Sequence, residues 1–315
     1  MSLGIGSNIG LNYRGYGRRR KLSFENLRAH VLMKGEVRMS KKEGHKKVLA
    51  ELLNEYLKTG DEEKIKEYLI SNSNLPGPRG NLELAEAFAQ VTEDYSLTHP
   101  QEMWELASKL TDVSPSEAPV NNPKEFLPFC GTMAIGAIGS VHATFYRKAF
   151  TFLKKIAKDP RWRTREAVAM GIQKLVAKQS KNTLKGLESW IEKNEWLAMR
   201  AVAAGVAEPA LLRDEPTARG ALELHKRIFA QILATRERKS NEFKTLRQAL
   251  GYSLSVVICS IPKEGFEYMQ HIINSQDADI LWIIKENLKK NRLIKNFSNE
   301  VAAIKKLPIM KEVLG

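Results

Sequence analysis

The segment Trp162-Arg163-Thr164-Arg165-Glu166-Ala167-Val168-Ala169-Met170-Gly171-Ile172 is echoed by Trp196-Leu197-Ala198-Met199-Arg200-Ala201-Val202-Ala203-Ala204-Gly205-Val206. Trp, Ala-Val-Ala and Gly coincide at an offset of 34 residues. Upstream, Met133-Ala134-Ile135-Gly136 places a glycine 35 residues before Gly171. Looser copies follow at Leu246–Gly251 and Trp282–Leu288. A shorter amphipathic stretch precedes each of the two clear units, Phe150–Ile156 before one and Leu184–Lys193 before the next. A helix pair of this length cannot bury its apolar face alone, so neighbouring pairs must stack. Small residues such as Gly171 and Gly205 would let adjacent helices approach closely. The pattern predicts an all-α α-α superhelix; a compact bundle of helix pairs is the competing arrangement.

The rest of the chain is consistent with helices throughout. Val48, Leu49, Leu52, Leu53, Tyr56 and Leu57 recur at helical spacing. Gly60-Asp61 ends that helix and opens the next, which carries Ile65, Tyr68 and Leu69. Leu75-Pro76-Gly77-Pro78-Arg79-Gly80-Asn81 is a loop, and Leu82, Leu84, Ala85 and Phe88 begin another helix. No run of alternating β-branched residues argues for a sheet. Asp159-Pro160 reads as an N-cap and first turn for a helix running from Arg161 to about Gln179. On that helix Trp162, Val168, Ala169, Ile172, Leu175 and Val176 share one side. Arg163, Lys174 and Lys178 share the other, with Lys181 extending the line.

Charge is unevenly distributed. Residues 1–47 hold twelve Lys/Arg against three Asp/Glu, and residues 147–185 hold twelve against two. Between them, residues 48–146 hold six against fifteen. Two basic blocks around an acidic one suggest an anionic partner for the former, with the acidic 48–146 segment facing solvent or a protein partner; the other reading makes most of these charges solvated helix faces. Residues 1–40 read as a glycine-rich, basic arm in which Arg18, Arg19 and Arg20 sit among tyrosines and glycines, a mixture suited to phosphate contact and base stacking. Met39 also reads as a chain start, so two origins of the arm stand open. Residues 41–315 read as one helical domain.

Several chemistries find no support. Cys130 and Cys259 make neither a disulfide framework nor a zinc pattern, and the six histidines lack ligand spacing, so no metal and no cofactor are expected. No nucleotide-binding glycine loop or Gly-x-Ser-x-Gly elbow is present. The N-terminus has no apolar core of secretory length. The uncharged run Phe126–Tyr146 contains Pro128, three glycines and His142, which suits a buried helix better than a membrane span. A cytoplasmic protein without membrane contact is the expectation.

The acidic turn followed by Trp and Arg-Glu-Ala-Val-Ala resembles the HEAT-like repeat superfamily that includes the alkylpurine DNA glycosylases of DNA alkylation repair. Met199–Leu211 and Ile283–Leu288 echo its repeat helices, and the resemblance covers roughly residues 150–293. It implies a HEAT-like helical-repeat solenoid. In members with glycosylase activity it implies a basic concave groove, tryptophans and one carboxylate set against the deoxyribose. Trp162 with Glu166, and Trp282 with Glu286, stand four residues apart and so share a helix face. The family carries aspartate where these positions carry glutamate. The other reading makes Glu166 and Glu286 surface charges beside Arg163 and Lys290.

Three functions follow as expectations. The first is a nucleic-acid-binding protein whose basic surface is built from Arg163, Lys174, Lys178, Lys181, Lys285, Lys289, Lys290 and Arg292, together with the Arg18–Arg20 arm. The second is a glycosylase that excises alkylated bases at Trp162/Glu166 or Trp282/Glu286. The third is a protein–protein scaffold. The fold alone does not choose among them.

Overall fold

The computed structural model describes residues 40–314, and among these it contains fifteen α-helices, three short 3-10 turns and no strand. The helices are α1 (Lys41–Thr59), α2 (Glu63–Ser71), α3 (Leu82–Ser96), α4 (Pro100–Thr111), α5 (Phe126–Val141), α6 (Ala143–Ile156), α7 (Trp162–Leu187) and α8 (Trp196–Gly205). They continue as α9 (Glu215–Ala234), α10 (Asn241–Ser260), α11 (Pro262–Ile273), α12 (Ala278–Leu288), α13 (Asn291–Asn296), α14 (Ser298–Lys305) and α15 (Pro308–Leu314). Residues from Lys41 onward cluster as one unit. The arm with Arg18, Arg19 and Arg20 lies outside the described residues.

Helices α1, α3, α5, α7, α8, α10 and α12 form a row in which each packs on the next. Helices α4 and α6 pack against α5, α9 packs against α7, α8 and α10, and α11 packs against α10 and α12. Most of the uncharged run is α5, where every residue from Phe126 to Ser140 is buried, but the run breaks at His142 and its last four residues begin α6, with Ala143 and Thr144 exposed. Helix α5 is apolar on all sides because α3, α4, α6 and α7 surround it. Among the described residues no helix is long and apolar enough to cross a membrane.

Helix α7 is two helices joined at Gln179, whose φ of −137° and ψ of 51° are not helical. The first arm packs in the row between α5 and α8. The second arm lies beside α6 in the same direction: Tyr146 donates to Thr183 at 3.2 Å, Phe150 meets Trp190 at 5.0 Å, and Lys154 reaches Glu192 at 2.9 Å. Ion pairs continue sideways from there, Arg227 to Glu188 at 3.3 Å and Arg219 to Glu264 at 3.0 Å. The expected helix end near Gln179 is therefore a bend. Its expected start is displaced as well: α7 begins at Trp162, after Pro160, and Asp159 instead accepts from the Arg161 backbone N–H at 2.8 Å and pairs with the Arg161 side chain at 2.6 Å.

Close backbone approach sets the spacing of the row. A Cβ on Gly136 would lie 2.4 Å from the Cα of Gly171, so α5 and α7 meet backbone to backbone. A Cβ on Gly205 would lie 2.7 Å from Ile172. Further along, the buried Asn287 ties α12 to α10, donating to the Leu250 carbonyl and accepting from the Ser255 N–H, each at 2.8 Å. His225 is fully buried between the Ala221 carbonyl and the Ser253 hydroxyl, each 2.8 Å away, and burial lowers its pKa to about 4.

Gly136→Ala should therefore cost about 1–3 kcal/mol by forcing α5 and α7 apart. Gly44→Ala, in α1 with nothing within 4 Å of the new methyl, should gain about 0.5–1 kcal/mol; urea unfolding of both variants checks the contrast. The His225 titration has a defined sign. The unfolded chain takes up the proton near the ordinary histidine value of 6.5 while the folded chain holds it off until about 4, so stability is complete above the higher value and falls as pH drops between the two. Relative to a His225→Gln variant, the wild type should lose about 2 kcal/mol between pH 7 and pH 5, read from urea midpoints at both pH values.

Candidate nucleic-acid interface

Helix α7 presents its first turn at the edge of the row. Trp162 was expected among the buried apolar residues, but it is 43 % exposed, while Arg163, expected on the basic surface, is only 5 % exposed. The reason lies in the small residues. Thr164, Ala167 and Gly171 are buried along with Val168, Ile172 and Leu175, because α5 packs through them. The buried arc is thus wider than the large apolar side chains suggest, and it turns Arg163 inward and Trp162 outward. Burial of Arg163 is compensated by Glu125, which is fully buried and accepts from Nη1 at 2.8 Å. Its Nη2 donates to the Gly77 carbonyl at 2.6 Å and to Asn121 at 3.3 Å, which anchors the loop before α3. The guanidinium carbon also lies 4.4 Å from the centre of the Trp162 ring, backing the indole with a cation. Arg163 is therefore a structural residue and offers no charge to an external phosphate.

Trp162 and Glu166 together line two neighbouring cavities. One, of about 360 Å³, continues over Arg165, Arg200, Gln248 and Tyr252. The other, of about 300 Å³, is bounded by Arg79, Leu82, Phe129 and Met170 and is more apolar. Glu166 pairs with Arg200, not with Arg163. Arg200 is nearly buried and also donates to the Arg165 carbonyl at 2.9 Å. Arg165 in turn donates to the carbonyls of Asp159 and Pro160 at 2.7 and 2.8 Å. Burial and then the neighbouring Arg200 charge lower the Arg165 pKa. Burial raises the Tyr252 pKa, and Glu166 adds to the rise. Two arginines against one carboxylate leave the cleft cationic, and its partly desolvated walls strengthen attraction for an anion.

The other sequence-derived residues are dispersed. Lys174 pairs with Glu86, and Lys178 lies 3.7 Å from Glu93, so acidic residues of α3 face the expected basic line. Lys181 is exposed beyond the bend. Lys289 pairs with Glu286 at 2.6 Å, the place the sequence reading gave to Lys290. Lys290 precedes α13, Arg292 is exposed in it, and Lys285 is half-buried in α12. Trp282 is half-buried with Arg247 4.1 Å above its ring, and Arg247 is held by Asp279 at 2.7 Å. Trp282 and Glu286 thus repeat the pairing of Trp162 and Glu166 on another helix, with Lys289 meeting the carboxylate where Arg200 meets Glu166. Among the described residues no group of His, Cys, Asp and Glu could hold a metal ion.

Arg165, Arg200, Gln248 and Tyr252 were not singled out from the sequence. One signal was available for Arg200: the 34-residue offset puts it in the register position of Glu166, and opposite charges at one register position of adjacent units face each other. The chain matches no family model, no curated protein and no solved structure.

Replacing Arg163 alone strands the buried Glu125. Arg163→Met should lose about 3–5 kcal/mol, and removing both charges in Arg163→Met/Glu125→Leu should restore much of it. Urea denaturation of the two single variants and the double variant closes the cycle.

Proposed function

We propose that the chain is a HEAT-like helical-repeat solenoid that binds nucleic acid, with the cleft at Trp162 as its recognition point. The row of helices that pack each on the next, with a second set alongside, supports the repeat reading. The observation that carries the function is the exposed Trp162 ring, backed by Arg163 and set beside Arg165 and Arg200 in an open cavity. An indole face suits an unstacked base, and the half-buried Arg165 guanidinium suits the adjoining phosphate, with Arg200 matched by Glu166 behind it. The expected lysine line is largely matched by carboxylates of α3, so recognition rests on the arginine cleft, with Lys181, Lys290 and Arg292 as outlying contacts.

A second reading has its own support. Glu166 is a half-exposed carboxylate on the cleft wall next to Trp162, as excision of alkylated bases would require. Breaking an N-glycosidic bond builds positive charge on the sugar, which a carboxylate stabilises while it orients water. Arg200 pairs with Glu166 and limits its movement. The aromatic face adds attraction for the developing cation.

A labelled DNA duplex carrying one unpaired nucleotide, titrated with the full chain at two salt concentrations, tests the first reading. Binding should weaken as salt rises, and Trp162→Ala should reduce affinity by about tenfold with little change in the unfolding midpoint. Duplex affinity that ignores both salt and Trp162 would overturn it. Release of methylated bases that disappears in Glu166→Gln would establish the second reading.

A further inference from the structure

Helix α6 carries a second cationic surface, and none of its residues lines either cavity at Trp162. Residues 143–158 hold five Lys/Arg and no carboxylate. Two of the five are neutralised, Lys154 by Glu192 and Lys158 by Glu195, both at 2.9 Å. The other three, Arg147, Lys148 and Lys155, are exposed, and among the described residues no carboxylate pairs with them. They rim a shallow depression of about 500 Å³ whose floor is Trp104 of α4 and Phe152 of α6. Trp104 is stacked on Phe145 at 5.1 Å and met edge-on by Phe152 at 6.0 Å, so its ring is held in place while part of it stays open. Lys148 sits 5.1 Å from the Phe145 ring centre, which keeps its charge over the aromatic group.

We propose that this shelf is a binding site for single-stranded nucleic acid, separate from the Trp162 cleft. The depression is open and shallow, so it offers a face to a flat ring and no socket for an aliphatic peptide anchor. The cations stand at both ends of the aromatic floor, about 12 Å apart along the helix axis, where phosphates flanking a stacked base would lie. Stacking on an aromatic surface between cations binds single strands with little sequence preference. The chain's own N-terminal residues do not suit the shelf: residues 1–39 hold eight Lys/Arg against two Glu, and like charges repel.

The test is a titration of labelled oligothymidylate with the full chain at several salt concentrations. It compares the wild type with Arg147→Glu/Lys148→Glu/Lys155→Glu, with Trp104→Phe and with Trp162→Ala. The triple variant changes only exposed side chains, and an unaltered thermal midpoint confirms that it folds. It should bind at least about tenfold more weakly, with the slope of log affinity against log salt reduced by about two, as expected for three lost phosphate contacts on a single strand. Trp104→Phe should retain most of the affinity, and the charge-reversal triple variant should lose affinity by the same factor in a Trp162→Ala background as in the wild type, as two separate sites require. Undiminished affinity in the triple variant overturns the proposal. So does capture of polyglutamate or phosphatidylserine vesicles by the wild type in place of the oligonucleotide. Loss of oligothymidylate binding in Trp162→Ala alone would also overturn it while leaving the cleft reading intact.

Discussion

Helices α5 and α7 cross where Gly136 meets Gly171, and at that point no side chain separates the two backbones. Everything around Trp162 depends on that approach. A larger residue at either position would move α7 away from the central helix, and the arc that Thr164, Ala167 and Gly171 bury would open. The same approach brings Arg163 within reach of Glu125 and the loop at Gly77. Contact between small residues, rather than the large apolar ones, sets the rotation of α7 about its axis.

The electrostatics follow from that rotation. Arg163 is buried and must be neutralised, because an unpaired charge in such a site costs several kcal/mol. Glu125 does this, and the pair then serves as a rigid backing for the Trp162 ring. One turn further on, Glu166 emerges at the edge and meets Arg200 of the next helix in the row. The carboxylates of α3 meanwhile draw Lys174 and Lys178 towards them. The basic segment 147–185 is therefore not one surface. Part of it is internal, part is matched by α3, and part faces outward from α6.

Much of the helix content was legible in the sequence. Gly60, with a φ of 74°, ends α1 where the spacing and the glycine implied, and the uncharged run up to Ser140 is buried as a helix surrounded by others. The glycines of the repeat lie at close approaches between neighbouring helices. The site was legible in part. The Trp162–Glu166 pair was visible from its spacing, but its surroundings were not, since Arg200 and Tyr252 come from other helices. The match between Trp162 and Trp196 proved deceptive in environment: Trp196 is buried against Phe243 at 5.2 Å, whereas Trp162 faces solvent.

Local sequence determined that this chain is helical, where its helices break, and that its charges fall in blocks, because propensity, capping and composition act over a few residues. The tertiary structure alone decided which face of each helix is buried and which charges are left over. Those outcomes depend on neighbours 30 to 90 positions away in the chain, as with Arg163 and Gly77 or Lys174 and Glu86. A helix surrounded on several sides has no single apolar stripe to reveal its orientation. Its rotation is set by where small residues let another backbone come close, and only the packed fold brings those residues together.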